Sequence, residues 1–369
     1  MWRKIFQFIG MVAALLSLVP LVAADYWWIR MFDFPHIQLA SLTLIAIVLN
    51  FIKFDYKWRS DYFFQLVLIG CFIFQTYKFI DYTPIYPTEV QESSTGIDAK
   101  NTLKIYTANV LQKNKKGEKL FKEIKEMQPD LIVFTEVDTY WIQKIHEAIG
   151  SQYPHRVEQP QDNTYGMAVF SKLILENASV KFQVDKNIPS IHAEVVMKND
   201  EKFQLYAVHP TPPMPQHNPT STDRDRELMT TAIKSYNSDL PVIILGDFND
   251  VAWSSSTTLT KTIGKLLDLR IGRGFYNTYH AQYPLMRWPL DHILISEHFR
   301  HTDSGTGVNF NSDHFPSWAT LTYEPELAGD QLPMEPNEKH WKQAENQLKK
   351  EGLETFENIP KALQKLRKK

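Results

Sequence analysis

Apolar and polar positions divide this chain into two unlike parts. The first eighty residues hold three uncharged, mostly apolar stretches, at 5–24, 36–52 and 62–77. A helix crossing a bilayer needs about 20 apolar residues, within a range of roughly 17–25. The first stretch meets that length, the second lies at its lower limit, and the third reaches it with its flank to Ile80, where Lys78 can extend to the headgroups. The pattern predicts three transmembrane helices, at about 5–24, 36–53 and 61–80, making 1–80 a membrane region. Arg3 and Lys4 precede the first, and Lys53, Lys57 and Arg59 separate the second from the third. Arg30 is the only basic residue in the intervening loop, beside Asp25 and Asp33. Basic residues mark cytoplasmic loops, so everything after Ile80 is expected on the extracytoplasmic side of a bacterial inner membrane. Val22-Ala23-Ala24 is similar to a signal-peptidase site; cleavage there leaves two spans and the same placement.

Beyond the spans, residues 81–100 carry prolines and then the polar run Gln91-Glu92-Ser93-Ser94-Thr95-Gly96, which reads as a linker. As a flexible coil it would hold the next domain on the order of 25 Å from the bilayer. From Leu103 the pattern changes to short β-type runs at 103–108, 131–135, 167–170, 192–197, 203–208, 242–245, 292–295 and 318–323. Helical periodicity covers 117–127, 139–149 and 223–236. Several strand runs follow one another directly, which disfavours a repeated βαβ winding and predicts packed mixed sheets with helices outside over 101–323. A charged tail, 324–369, has a predicted helix near 338–350 and a basic end at 365–369. It reads as a solvated amphipathic tail, with contact to anionic lipid the weaker reading.

Composition narrows the chemistry. Forty Lys and Arg against 42 Asp and Glu exclude a polycation that coats nucleic acid. The single cysteine, Cys71, excludes a disulfide framework, a thiolate zinc site and a CxxC redox pair.

Polar residues recur where the apolar strand runs stop. Asn109 follows the first run, Glu136 the second and His209 the fifth; Asp247 and Asn249 follow the sixth. Asp291 introduces the seventh, and Ser312-Asp313-His314 precede the eighth. Rigid sheets present such strand-end loops as sites. Each residue alone reads equally as a turn former or a satisfied buried group; together they are types that bind hard cations or move protons. His292 reads as a core or edge histidine, Arg224 and Arg226 as a solvated helix face in preference to a phosphate contact, and Tyr165, Trp253 and Trp288 as aromatic packing in preference to the lining of a substrate groove.

The ordered set Thr107-Ala108-Asn109, Thr135-Glu136, His209-Pro210, Gly246-Asp247-Phe248-Asn249, Leu290-Asp291-His292 and Ser312-Asp313-His314 resembles the endonuclease/exonuclease/phosphatase superfamily, from about Leu103 to Tyr323. The resemblance extends to bacterial members with several N-terminal spans. It implies an α/β fold: a four-layer sandwich of two mixed β-sheets flanked by helices, here preceded by transmembrane helices. It also implies hydrolysis of a phosphoester with a divalent cation, Mg²⁺ or else Mn²⁺. A phosphate ester is anionic and repels hydroxide, so a hard dication must neutralise it and polarise phosphorus. By resemblance Glu136 is the principal metal ligand, with Asn109 beside it and Asp313 either near the metal or orienting His314. Asp247 would orient and deprotonate the attacking water, while Asn249 holds the water or a phosphoryl oxygen. Asp291 would pair with His314, and His209 would meet a non-bridging oxygen or protonate the leaving group.

The tether favours a phosphoester substrate drawn from the bilayer, a lipid or polyprenyl phosphate of the cell envelope. Nucleic acid is less favoured, because no basic stripe interleaved with aromatics is present. The alternatives are an extracytoplasmic nuclease and, from another class, an inactive membrane-bound binding module.

Overall fold

A computed structural model describes residues 1–22, 25–215 and 218–349; Ala23-Ala24 of the cleavage-like site and the basic C-terminal end lie outside the described residues. In chain order the helices of the N-terminal part are α1 (Trp2–Leu18), α2 (Trp27–Arg30), α3 (His36–Ile52) and α4 (Arg59–Phe79). There follow β1 (Thr102–Asn109), α5 (Glu118–Met127), β2 (Leu131–Thr135), α6 (Thr139–Ile149), β3 (His155–Gln159), β4 (Met167–Ser171), β5 (Ile174–Lys181), β6 (Ser190–Val196) and β7 (Lys202–Ala207). The remainder is α7 (Thr222–Tyr236), β8 (Val242–Asp247), α8 (Ser255–Ile263), β9 (Leu267–Asp268), β10 (Asp291–Ile295), β11 (Phe299–Thr306), β12 (Ser317–Tyr323) and α9 (Glu338–Lys349).

Alternation along the strands builds the sandwich. In β1, Leu103 and Ile105 point into one core, while Tyr106 and Ala108 point into another. Leu131 and Val133 against Ile132 and Phe134 repeat this in β2, as period-two side chains must when both faces are covered. The strands form two six-stranded sheets, ordered β11-β12-β1-β2-β4-β3 and β5-β6-β7-β8-β10-β9. Each has one parallel pair, β1 with β2 and β7 with β8, among antiparallel neighbours. The shared core joins Leu103, Ile105 and Val133 of one sheet to Leu205, Ile243 and Leu245 of the other. Helices α5 and α6 cover the outside of the first sheet through Leu120, Ile124, Trp141 and Ile145. Helix α7 covers the second through Leu228, with α8 and α9 packed behind it. This is the expected mixed four-layer arrangement. Asp138 starts α6 by accepting the Trp141 N–H at 2.8 Å, and Gln128 ends α5 in the left-handed region at φ 51°.

The N-terminal helices pack through small residues, Ala13, Ala14, Ala46 and Cys71, and leave Phe8, Leu15, Phe63 and Leu66 on the outside. Two segments, Trp2–Leu21 and Arg59–Tyr82, are long and apolar enough to cross a membrane, consistent with a membrane anchor. The expected second span, α3, is too short alone; it reaches the length only with Trp27–Asp33, from which it is bent by 70°. Arg3 pairs with Asp61 at 2.6 Å at the end of the bundle where α1 and α4 begin, and at the other end Trp27 N–H meets Pro219 O.

Two expectations need correction. Segment 81–100 is not a free coil: Val90 lies wholly inside the inter-sheet core, Tyr82 is buried, and Glu92 bridges to His301 of β11. Isolated apolar residues in a proline-bearing run gave no periodic signal, yet Tyr82 and Val90 are buried while Ile85 stays exposed. Nor is the tail merely solvated, since Trp341, Ala344 and Leu348 of α9 are buried against Met229, Ala232, Leu259 and Ile263.

Candidate active site

Strand parity aims the polar residues. Inward-facing Leu103 and Ile105 of β1 put Asn109 on the same side, and Ile243 and Leu245 of β8 do the same for Asp247. Ile293 and Ile295 fix Asp291 likewise at the start of β10. Three polar groups from both sheets thus emerge where the apolar inter-sheet core ends. Gly246 makes the approach possible: at φ 136°, a Cβ there would lie 2.1 Å from Val208 O, next to His209. Beyond their strands Glu136 (φ 62°) and Asn249 (φ 52°) turn through the left-handed region, which an asparagine adopts readily and a glutamate does not. The strain at Glu136 is held by its hydrogen bonds.

Asn109 Nδ2 donates to Glu136 Oε1 at 2.9 Å and to Asp247 Oδ2 at 3.0 Å, while its Oδ1 accepts the Leu111 N–H. Glu136 Oε2 accepts the Gln112 N–H at 3.2 Å, and Asp247 Oδ1 accepts that of Asn249 at 2.9 Å. His314 Nδ1 donates to Asp291 Oδ2 at 2.7 Å, and its Nε2 lies 3.5 Å from Asp247 Oδ2. His209 Nε2 lies 3.8 Å from the same oxygen. Asn249 Nδ2 donates to Pro210 O, and Ser312 Oγ donates to Asn109 O, tying the Ser-Asp-His loop to the end of β1. Glu136, His209, Asp247, Asn249, Asp313 and His314 line one cleft of about 910 Å³. Asn109 and Asp291 stand behind it, holding the carboxylates and the imidazole.

Burial sets the charge states. It raises the Glu136 and Asp247 carboxyls above the usual range and lowers the His209 imidazole. Burial also works against protonation of His314, but the Asp291 and Asp247 carboxylates outweigh it and push this imidazole up to about 10. His314 is therefore an imidazolium, with a proton on each nitrogen.

A dication suits the remaining oxygens. Glu136, Asp247 and Asp313 face one cleft, and the buried Asp313 Oδ1 has no hydrogen-bond partner. Hard carboxylate oxygens of this kind fit Mg²⁺ or Mn²⁺. Ligand atoms of Asp247, Asp291 and His314 also lie within 4.8 Å of one another, with His314 Nδ1 and Asp291 Oδ2 already engaged with each other at 2.7 Å. Glu136 and Asp313, which line the cleft, could also hold the ion, Asp313 through its unpartnered Oδ1. Asn109, with its amide oxygen engaged by Leu111, positions Glu136 instead of facing outward.

Other expectations sort differently. Arg224 and Arg226 are buried, not solvated. Arg224 pairs with Asp225 at 2.9 Å and Asp250 at 3.1 Å, and donates to Asn249 O, bracing the Gly-Asp-Phe-Asn loop. His292 is a core residue, stacked on Phe248 with ring centroids 4.4 Å apart. Trp253 packs on Tyr82, as expected, and its Nε1 donates to Asp33 O. Tyr165 and Trp288 line the cleft, Tyr165 with its ring 5.4 Å from that of His209. Gln112, Tyr279 and the loop residues Trp27, Arg30, Met31 and Phe34 line it too, and none has a local sequence signal.

Residues 106–314, more than half the chain, match the Endonuclease/Exonuclease/phosphatase family. The chain belongs to that family, whose members are phosphoesterases and nucleases and are generally dependent on divalent metals. No curated protein matches the sequence. Among solved structures, the chain is similar to D. rerio TDP2 complexed with a single-strand DNA product, at 16% identity and a TM-score of 0.52, over 61% of this chain and 100% of that one. It is similar also to a humanized D. rerio TDP2, at 16% identity and a TM-score of 0.51, over 60% of this chain and 99% of that one. A Bacteroides thetaiotaomicron mannosyl-6-phosphatase aligns at 16% identity with a TM-score of 0.47, over 60% of this chain and 100% of that one. The two TDP2 likenesses establish the shared fold.

Proposed function

We propose that this chain is a membrane-anchored, Mg²⁺-dependent phosphoester hydrolase acting on lipid or polyprenyl phosphates at the outer face of a bacterial cytoplasmic membrane. The observation that carries this reading is the direct seating of the site on the apolar helices. Helix α4 runs into buried Tyr82, whose hydroxyl donates to Ala252 O, and the 25–35 loop reaches the cleft. No flexible spacer intervenes, so the centre sits closer to the bilayer than a free linker would hold it. Basic Arg3, Lys53, Lys57 and Arg59 gather at the far end of the bundle, which under the positive-inside rule supports an extracytoplasmic domain.

Bound between Glu136 and Asp313, a dication would neutralise phosphoryl oxygens and polarise phosphorus. Asp247, fixed by Asn109 and by the Asn249 N–H, orients a water and takes its proton as the new P–O bond forms. Asn249 lies beside it on the cleft wall to steady the water or a phosphoryl oxygen. His314, held charged by Asp291, has a proton to give to the leaving oxygen and a positive charge to set against the phosphoryl group. Neutral His209 donates to a non-bridging oxygen.

The test is to incubate the full chain in detergent micelles with Mg²⁺ and either a polyprenyl phosphate and pyrophosphate or single- and double-stranded DNA. Release of phosphate from the lipids supports the reading. DNA cleavage without lipid turnover would replace it with a nuclease, and absence of both hydrolysis and metal binding would replace it with a binding module.

A further inference from the structure

The catalytic cleft has a second kind of wall. Beside its acids and imidazoles lie Trp27, Met31 and Phe34 of the loop between the first two apolar helices, with Pro212, Pro213 and Met214 from the segment after His209. Met31 is 52% exposed and Met214 46%, so apolar surface is left bare at the cleft. The loop is firmly built. Arg30 pairs with Asp25 at 3.0 Å, Asp33 at 3.4 Å and Asp225 at 3.7 Å, Trp27 N–H binds Pro219 O, and Ser221 N–H binds Asp25 O. Those carboxylates engage the Arg30 charge, and what the loop turns to the cleft is chiefly hydrocarbon.

A second loop points the same way. Tyr283, Leu285 and Met286 are exposed, Leu285 by 85%, on a loop whose Ala281 N–H binds Asp313 O within the site. Gln38 of α3 donates to Leu285 O at 3.0 Å, placing this apolar tip against the start of an apolar helix. Both loops therefore connect the helices' domain-facing end to the rim of the cleft. A water-soluble phosphate ester has no use for such surface, whereas an alkyl chain is held by it at about 0.8 kcal/mol per buried methylene, roughly fourfold in affinity.

We propose that the 25–35 loop is part of the substrate site: Trp27, Met31 and Phe34, with Met214, seat the hydrocarbon chain of an amphiphilic phosphate ester that enters from the bilayer, its phosphoryl group resting at Glu136 and Asp247. The inference rests on the hydrolase reading of that centre and names what fixes its substrate class. Chain length, not headgroup, is then the main determinant of specificity. The exposed 282–286 tip sits in the bilayer surface and holds the mouth of the cleft to it.

The experiment compares kcat/KM of the full chain for butyl and hexadecyl esters of phosphate and pyrophosphate, all in the same detergent micelles with Mg²⁺. The wild type should favour the hexadecyl ester by at least about tenfold. M31E and M214E, at exposed positions where folding is not at stake, should each bring the ratio towards one. I174E, on a strand away from the cleft, should keep the wild-type ratio and so controls for micelle partitioning. Equal rates on both chain lengths, or a preference that M31E and M214E leave unchanged, would overturn this inference and leave the hydrolase reading standing. No hydrolysis of any of the esters would overturn the hydrolase reading and this inference with it.

Discussion

His314 Nδ1 lies 2.7 Å from Asp291 Oδ2, with both side chains almost wholly buried at the cleft floor. The pair joins the Ser-Asp-His loop to the first residue of β10 and fixes the imidazole's orientation as well as its charge. Removing the charge while keeping the shape, Asp291→Asn, should lower kcat by at least about 100-fold. It should also move the alkaline limb of the pH–rate profile to lower pH, because the carboxylate that outweighs burial is gone. A kcat that falls without any change in the profile would assign Asp291 a purely structural part.

Under the proposed function, Glu136 is the acid that metal binding depends on. Saturating Mg²⁺ should raise the melting temperature of the wild-type protein, by about 2.7 kcal/mol of stability at a concentration 100 times Kd. Glu136→Ala should abolish that shift in a calorimetric scan, in the absence of any substrate. A retained shift would move the metal to other ligands.

Glu227 on α7 is buried, its Oε1 has no hydrogen-bond partner, and burial followed by Asp185 and Asp223 pushes its carboxyl up to about 8. A raised folded-state value means that its favourable contribution is complete below the ordinary value of 4.5 and is lost as pH rises through 8. Glu227→Gln keeps the shape and removes the titration. The variant should gain on the wild type between pH 5 and 8.5, by on the order of 3 kcal/mol. Denaturant titrations at both pH values measure this.

Gly246 and Gly70 should respond in opposite ways to alanine. At Gly246 the added Cβ meets Val208 O at 2.1 Å in a conformation that L-residues rarely adopt, so Gly246→Ala should cost on the order of 3 kcal/mol and disturb Asp247. At Gly70, inside α4, nothing lies within 4 Å of the added atom. Gly70→Ala should be neutral or better by up to about 1 kcal/mol. Thermal melts of the two variants decide it.

What the sequence made readable follows physical lines. Central strands such as β2 and β8 are buried on both faces and appear as unbroken apolar runs, and the site residues lie at the ends of such runs. Strands β3, β5 and β11 have solvent on one side or lie at a sheet edge, so His155–Gln159, Ile174–Lys181 and Phe299–Thr306 carry no comparable run. Helix α8, Ser255–Ile263, is rich in Ser and Thr and shows little amphipathic contrast, although Ser254 caps it by accepting the Thr257 N–H. The cleft's other lining was hidden for a different reason. Trp27 and Phe34 lie more than 200 residues from Asp247, and only tertiary packing brings them together. Arg224 and Arg226 had the spacing of a charged helix face; both are buried, and the distant Asp250 that pairs with Arg224 could not be read locally.

The most direct test of the account is turnover of a phosphoester panel by the full chain, with Mg²⁺ and with chelator, in wild type and in Asp247→Asn. The account predicts hydrolysis that requires the dication and falls at least about 1,000-fold in the variant while its melting curve stays in place. Hydrolysis that persists in Asp247→Asn, or no turnover of any phosphoester with Mg²⁺ or Mn²⁺, would contradict it.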